Sequence, residues 1–220
     1  MSRVRRTIAE RVSRSWAEIP HVTTFDEVDA TRLLEVKRAL TRRTGVAISI
    51  DALVVRAVVP ALESHPDFNA LLESEVLRDN ETIDMGVAVD TDEGLMVLVI
   101  RDVANQTLTE ISGEIARLAA AAKTRSATPA EMSGQTFTVS NIGAVGGGYG
   151  TPIIPHGTIG ILSVGRAVDR PVARDGKVVV VPMMPLSLSY DHRVIDGGAG
   201  RRFLAEVVEN LTEPALFLAD

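Results

Sequence analysis

The segment Leu186 to Gly198, LSLSYDHRVIDGG, predicts a strand that ends at a polar turn and is followed by a helix. Residues 186–190 carry the pattern of an apolar strand, which ends at Asp191. Behind Gly197 and Gly198, residues 199–211 have the spacing of an amphipathic helix. The residues that could carry chemistry therefore lie where a strand ends.

The rest of the chain alternates helical and β patterns, and no linker divides it into separate folding units. Further helices are expected at 2–18, 31–43, 49–61 and 109–123, and further strands at 21–28, 83–89, 95–100, 135–141, 158–165 and 178–181. Ser49 and Gly45 are typical of a helix start and a helix end, and residues 91–94 of a hairpin turn. This alternation predicts a two-layer α/β sandwich.

Composition removes several classes of function. The net charge of −6, with scattered basic residues, argues against nucleic acid as a partner. The chain has no cysteine, so any thiol chemistry must come from the substrate. Its apolar runs are too short to span a membrane, and the arginine-rich start lacks a signal-peptide core, which predicts a cytoplasmic or, less favoured, mitochondrial-matrix location. The four histidines are widely spaced and no HExxH motif occurs, so no metal is expected.

His192 is the strongest candidate for a catalytic group. It follows an apolar strand and stands four residues before Asp196 and the Gly197-Gly198 pair. Histidine titrates near neutrality and can take a proton from an incoming nucleophile. An isolated histidine is more often structural, but the surrounding segment favours a general base.

Ser140 lies at the end of the predicted strand 135–141, before the glycine-rich stretch 143–150. Its hydroxyl could be a nucleophile, an oxyanion donor or only a polar strand terminus. The glycine-rich stretch does not fit GxGxxG, and no GxxxxGK[ST] motif occurs, so dinucleotide or ATP binding is not expected. Glycine there is typical of tight turns or close backbone approach.

Several motifs in order along the chain resemble the catalytic core of the dihydrolipoamide acyltransferases of 2-oxo acid dehydrogenase complexes. They are DHRVIDG at 191–197, RTIA at 6–9, IPH at 19–21, MGVAV at 85–89, EGL at 93–95, GQTFTVSNIG at 134–143 and EP at 213–214. The resemblance implies one acyltransferase domain over residues 1–220, without a lipoyl or peripheral-subunit-binding domain. It also implies a two-layer α/β sandwich of the chloramphenicol-acetyltransferase type with a mixed β-sheet.

The resemblance also implies roles for three residues. His192 would remove the thiol proton of coenzyme A, and Ser140 would donate to the oxyanion formed at an acyl-dihydrolipoyl thioester. Asp196 would support the histidine turn. Coenzyme A is then a substrate, and the lipoyl group is carried on a domain absent from this chain.

The family further implies an assembly of homotrimers into a cubic or dodecahedral core, in which His192 reaches a neighbour's site. The 2-oxo acid dehydrogenase and dihydrolipoamide dehydrogenase are implied partners of the full-length protein. The sequence alone does not say whether one subunit supplies both Ser140 and His192.

The acyl group is expected to be branched-chain, with acetyl as the alternative. Residues 140–143, 19–29 and the Pro214-Ala215 ending look most like branched-chain members, whereas the LSLS run at 186–189 is shared with acetyl-transferring members. Two further hypotheses are a non-catalytic structural core and an O-acetyltransferase of the same fold.

Overall fold

The computed structural model describes residues 3–73, 75–91 and 94–218. The helices are α1 (Arg3–Glu18), α2 (Thr31–Thr44), α3 (Ile50–Ser64), α4 (Leu108–Lys123), α5 (Gly197–Thr212) and α6 (Ala215–Leu218). The strands are β1 (His21–Asp29), β2 (Leu71–Glu73), β3 (Val76–Arg78), β4 (Met85–Thr91), β5 (Gly94–Ile100), β6 (Phe137–Asn141), β7 (Gly160–Val164), β8 (Val168–Arg174) and β9 (Lys177–Asp191).

The main sheet is mixed and runs in the order β1-β9-β7-β6-β4-β5, with β8 paired to β9 as well. Strand β6 is parallel to both β4 and β7, and the other pairs in this sheet are antiparallel. Helices α3, α4 and α5 lie against the sheet, and the core between the two layers contains Phe137, Val139, Leu188 and Phe203. The predicted two-layer α/β architecture is therefore confirmed.

The face of the sheet away from these helices is lined by small polar side chains. Along β6 the apolar Phe137 and Val139 belong to the core, and the alternate residues Thr138 and Ser140 therefore face the other way. Ser140 is in register with Ser163 of β7, and that residue with Ser187 of β9. All three serines are buried. Their face is partly covered by the loop after β6, where the Gly150 N–H donates to the Ser187 hydroxyl at 3.2 Å.

Strand β9 is longer than the sequence pattern suggests. Two strands were expected at 178–181 and 186–190, but one strand spans Lys177–Asp191 and includes Pro182 and Pro185. Proline breaks the apolar pattern and lacks an N–H, yet its carbonyl still accepts. The Pro182 carbonyl accepts from Ala30 N at 2.9 Å and the Pro185 carbonyl from Gly165 N at 2.8 Å. Backbone pairing thus continues through both prolines.

Other boundaries shift for local reasons. Helix α4 begins at Leu108 rather than Thr109, because Thr107 and Glu110 form a reciprocal capping box. The sequence pattern does not predict β2 or β8 as strands; Val168 on β8 is exposed, as is Val76 on β3. The hairpin turn expected at 91–94 joins β4 and β5, but its two central residues lie outside the described ranges.

Gly200 fixes how closely α5 approaches the end of β9. A Cβ atom at this position would lie 2.5 Å from Cε1 and 2.6 Å from Cζ of Tyr190, a ring that is only 2% exposed. We expect Gly200→Ala to lower the free energy of unfolding by about 1–3 kcal/mol in urea titrations, because the core is overpacked. Gly197→Ala on the same helix meets nothing within 4 Å and is the matched control. Equal stability of the two variants would contradict this account of the helix contact.

Candidate active site

The turn after β9 holds His192 through its backbone. The His192 N–H donates to the Pro20 carbonyl at 3.2 Å, and the preceding Asp191 N–H donates to the Ile159 carbonyl at 2.9 Å. The Asp191 carbonyl in turn accepts from Val194 N at 3.1 Å. The imidazole of His192 is exposed on the single chain. The structure thus combines a tethered backbone with an exposed side chain at His192.

Asp196 lies in the same turn and begins helix α5. Its Oδ1 accepts from Ala199 N at 2.7 Å, so it is the N-cap of the helix. This bond is the main reason that the pKa of Asp196 is lowered, and the charges of Arg202 and His192 act in the same direction. The carboxylate is therefore charged at neutral pH and fixes the point where the turn becomes helix. Its supporting role toward His192 stays a prediction.

Ser140 occupies the end of β6 and is 7% exposed. The next residue, Asn141, accepts from Ala144 N at 3.2 Å and so begins the turn that leaves the strand. Within this turn Gly143 is required, because a Cβ there would lie 2.6 Å from Arg166 N. Ser140 thus lies at a strand end, and the turn that follows is held by the Asn141 hydrogen bond and by the close packing of Gly143. The expected glycine function, close backbone approach, is seen at Gly143.

Asp51 is a neighbour of this strand end that the sequence reasoning missed. It lies in the first turn of α3, and the side chain of Asn141 interacts with its carboxyl group. Burial raises the pKa of Asp51, and the Asn141 side chain opposes that rise. An acidic residue in a first turn is an ordinary helix feature, so no sequence pattern indicates this contact.

Ser140 and His192 do not meet within one chain. Ser140 is in register with Ser187 two strands away, and His192 is five residues beyond Ser187. With strand spacings of about 4.8 Å and a rise of about 3.3 Å per residue, the two residues are about 19 Å apart. A base and an oxyanion donor must each come within about 3 Å of the reacting atoms. A single chain therefore brings together His192 and Asp196, but not Ser140.

The other three histidines are held by neighbouring groups. His21 stacks on Trp16 with ring centroids 5.4 Å apart, and burial lowers its pKa. His156 Nε2 is 2.7 Å from Glu18, and His65 Nε2 is 3.2 Å from Glu206. Within the described ranges, no group of three or more His, Cys, Asp or Glu residues could hold a metal ion. The same ranges contain no helix with the length and apolarity needed to cross a membrane.

Comparison with known proteins identifies close relatives. The family model for 2-oxoacid dehydrogenases acyltransferase (catalytic domain) matches residues 1–219. A curated relative is the dihydrolipoyllysine-residue acetyltransferase component of the pyruvate dehydrogenase complex of Bacillus subtilis, 36% identical over 226 residues. The match covers 100% of this chain and 51% of that protein, so the chain spans about half the length of such relatives.

Solved structures give the same result. One is from a study of a serine, a histidine and an asparagine in the catalytic mechanism of Azotobacter vinelandii dihydrolipoamide acetyltransferase, with a TM-score of 0.94 and 37% identity. Another is the cubic core of the pyruvate dehydrogenase multienzyme complex, with a TM-score of 0.93 and 37% identity. Both matches cover 99% of this chain and 92% of the other.

A more distant structure is chloramphenicol acetyltransferase, with a TM-score of 0.57 and 20% identity over 92% of this chain and 94% of that one. At this identity the likeness concerns the fold alone. It confirms the predicted sandwich of the chloramphenicol-acetyltransferase type.

Proposed function

Because the chain belongs to the family of 2-oxoacid dehydrogenases acyltransferase catalytic domains, we propose that it transfers an acetyl group between a dihydrolipoyl thiol and coenzyme A. One observation carries the assignment of residues. In the Azotobacter vinelandii relative the studied serine precedes the histidine by 52 positions, and the asparagine follows it by four. Ser140, His192 and Asp196 have the same two spacings. We therefore assign the base to His192 and the oxyanion donor to Ser140.

In this mechanism His192 takes the thiol proton of coenzyme A, and the sulfur forms a bond to the thioester carbon of the acetyl-dihydrolipoyl group. The carbonyl oxygen becomes an oxyanion, to which the Ser140 hydroxyl donates. When the intermediate collapses, the bond to the dihydrolipoyl sulfur breaks and that sulfur receives the proton from His192. Both thiols come from substrates, which agrees with the absence of cysteine from the chain.

Asp196 supports this chemistry as a positioning residue. It caps α5 through Ala199 N and carries a negative charge four residues after His192. The relative has asparagine at the same spacing, and asparagine is as good an N-cap as aspartate. The shared function we propose for the two residues is therefore the fixed start of the helix behind the histidine turn.

The distance of about 19 Å between Ser140 and His192 supports a site built by two copies of the chain. We propose that His192 of one subunit meets Ser140 of the next around a threefold axis, because a closed ring of identical contacts completes every site. The likeness to a cubic core supports further assembly of these trimers into a cube. For the whole complex, we propose that a lipoyl group carries the acetyl group and that the partners are a 2-oxo acid dehydrogenase and a dihydrolipoamide dehydrogenase.

The relatives favour acetyl, the alternative acyl group. The sequence motifs favour a branched-chain substrate, whereas the relatives described above are acetyltransferase or pyruvate dehydrogenase components. Acyl groups that differ by one methylene are separated by only about 1–3 kcal/mol in an apolar pocket. The branched-chain motifs are short, so they support an acyl group less strongly than similarity over the whole chain does.

Initial rates of transfer to dihydrolipoamide test the proposal. We expect kcat/KM for acetyl-CoA to exceed that for isobutyryl-CoA and isovaleryl-CoA by about tenfold or more. Chloramphenicol, a hydroxyl acceptor, should not be acetylated. A preference for the branched acyl groups would reinstate the branched-chain hypothesis, and transfer to the hydroxyl acceptor would indicate an O-acetyltransferase. An assembled particle without transfer from any of these donors would indicate a structural core.

A further inference from the structure

We propose that Asp191 and Arg193 are positioning residues that enclose His192, fix its backbone and balance the charge beside its ring. The inference rests on the proposed function of His192 as the base. It concerns the two neighbours of the histidine rather than Asp196, which acts on the turn from its far end.

The side chains of Asp191 and Arg193, on either side of His192 in sequence, are joined by several hydrogen bonds. Arg193 Nε donates to both carboxylate oxygens of Asp191 at 3.0 and 3.1 Å, and Nη2 donates to Oδ2 at 2.6 Å. The Arg193 backbone N–H also donates to Asp191 Oδ1 at 3.0 Å, which closes an Asx-type turn around His192. The His192 N–H donates to the Pro20 carbonyl, so the backbone N–H groups of His192 and Arg193 are both held by hydrogen bonds.

Burial shows that the pair is more than a surface contact. The Asp191 side chain is 1% exposed, whereas that of Arg193 is 47% exposed. A buried carboxylate needs a counter-ion. Removing one partner of such a pair strongly destabilises the protein, because the charge that remains is buried and uncompensated. His21, which faces Asp191 across the β1–β9 pairing, does not replace Arg193, because burial lowers the pKa of His21. Arg193 is therefore the cation that neutralises Asp191.

Charged groups from other elements also surround this turn. Glu18 at the end of α1 and Glu75 before β3 act on Arg193, whose pKa is raised chiefly by Asp191. Asp196 and Arg202 approach from the α5 side. None of these carboxylates is bound to Arg193 by a hydrogen bond of the kind that Asp191 makes in the described contacts. Of the carboxylates around this turn, Asp191 is thus the one that Arg193 holds by hydrogen bonds in the described contacts.

Activity measurements give the first test. We expect Arg193→Lys, Arg193→Gln and Asp191→Asn to lower kcat by about 10- to 100-fold, because a misplacement of about 1 Å can cost 10²-fold. The KM values for acetyl-CoA and dihydrolipoamide should stay within about threefold, since neither residue is proposed to bind substrate. Lysine keeps the charge but cannot supply the planar fork, so Arg193→Lys separates geometry from charge.

The decisive readout does not need activity. Diethyl pyrocarbonate modifies neutral imidazole, so peptide mass spectrometry of His192 modification across pH reports where its ring loses the proton. Arg193→Gln leaves the Asp191 charge unopposed and should move that midpoint to higher pH, whereas Asp191→Asn leaves the Arg193 charge and should move it lower. Arg193→Lys should leave it near the wild-type midpoint. Opposite shifts are the signature of a charge pair beside the ring, which a general loss of structure does not produce.

The exposed pair Arg201 and Asp26, 3.0 Å apart, offers matched controls. Arg201→Gln and Asp26→Asn should leave the His192 midpoint unchanged. Absent shifts, or shifts of the same sign in Arg193→Gln and Asp191→Asn, would overturn the proposal. If the two variants show opposite shifts but the wild-type chain has no transfer activity, only the proposed function is contradicted. If Arg193→Gln does not fold, Asp191→Asn still tests the charge through the shift of the His192 midpoint to lower pH. Arg193→Lys still tests the geometry through its loss of kcat.

Discussion

His192→Ala is expected to lower the rate of acetyl transfer at neutral pH by about 10²- to 10⁴-fold. A thiol with a pKa near 8.5 is only a few per cent thiolate at pH 7, so without a base most of the coenzyme A present cannot attack. The ring is exposed, and its replacement removes no core packing. The melting temperature of the variant should therefore stay close to that of the wild type.

The pH dependence makes this prediction specific. In His192→Ala the nucleophilic thiolate must come from the solution, so the residual rate should rise about tenfold per pH unit until the thiol itself is titrated. His65→Gln is the matched control, because His65 pairs with Glu206 in the helical layer and has no proposed part in catalysis. Turnover by His192→Ala equal to that of the control would refute the assignment of the base.

Local chain patterns were enough to predict most of the fold. Each long helix and the strands that hold Ser140 and His192 could be placed from periodicity and capping residues such as Ser49 and Gly45. Long-range hydrogen bonds decide what periodicity cannot. The continuity of β9 depends on the Pro182 and Pro185 carbonyls meeting partners from distant segments.

The candidate site was predictable as residues but not as geometry. Motif resemblance singled out Ser140, His192 and Asp196, yet their separation follows from β7 lying between β6 and β9, a strand order that no local pattern contains. The contact of Asp51 with Asn141 likewise joins two segments 90 residues apart in sequence. Asp191 and Arg193 are close in sequence, but only the burial of the carboxylate shows that they form a pair.

Ser140→Ala is expected to reduce kcat by about 10²- to 10³-fold, or about 3–4 kcal/mol, because the oxyanion loses a hydrogen bond formed in the transition state. The KM values for acetyl-CoA and dihydrolipoamide should change little, since the ground-state carbonyl needs this donor less. Ser163→Ala is the matched control, because Ser163 is the buried register partner of Ser140 on the neighbouring strand. A similar loss of kcat in both variants would indicate that the buried serines stabilise the sheet rather than the oxyanion.

Mixing the two inactive variants tests where the site is formed. If Ser140 and His192 come from different subunits, a Ser140→Ala chain and a His192→Ala chain can together form an intact site. With equal co-expression and random assembly, about a quarter of the sites receive both intact residues, so about a quarter of the wild-type activity should return. If one chain supplied both residues, every site would carry a defect and the mixture would stay at the level of its components. The separation of about 19 Å within one chain favours the first result.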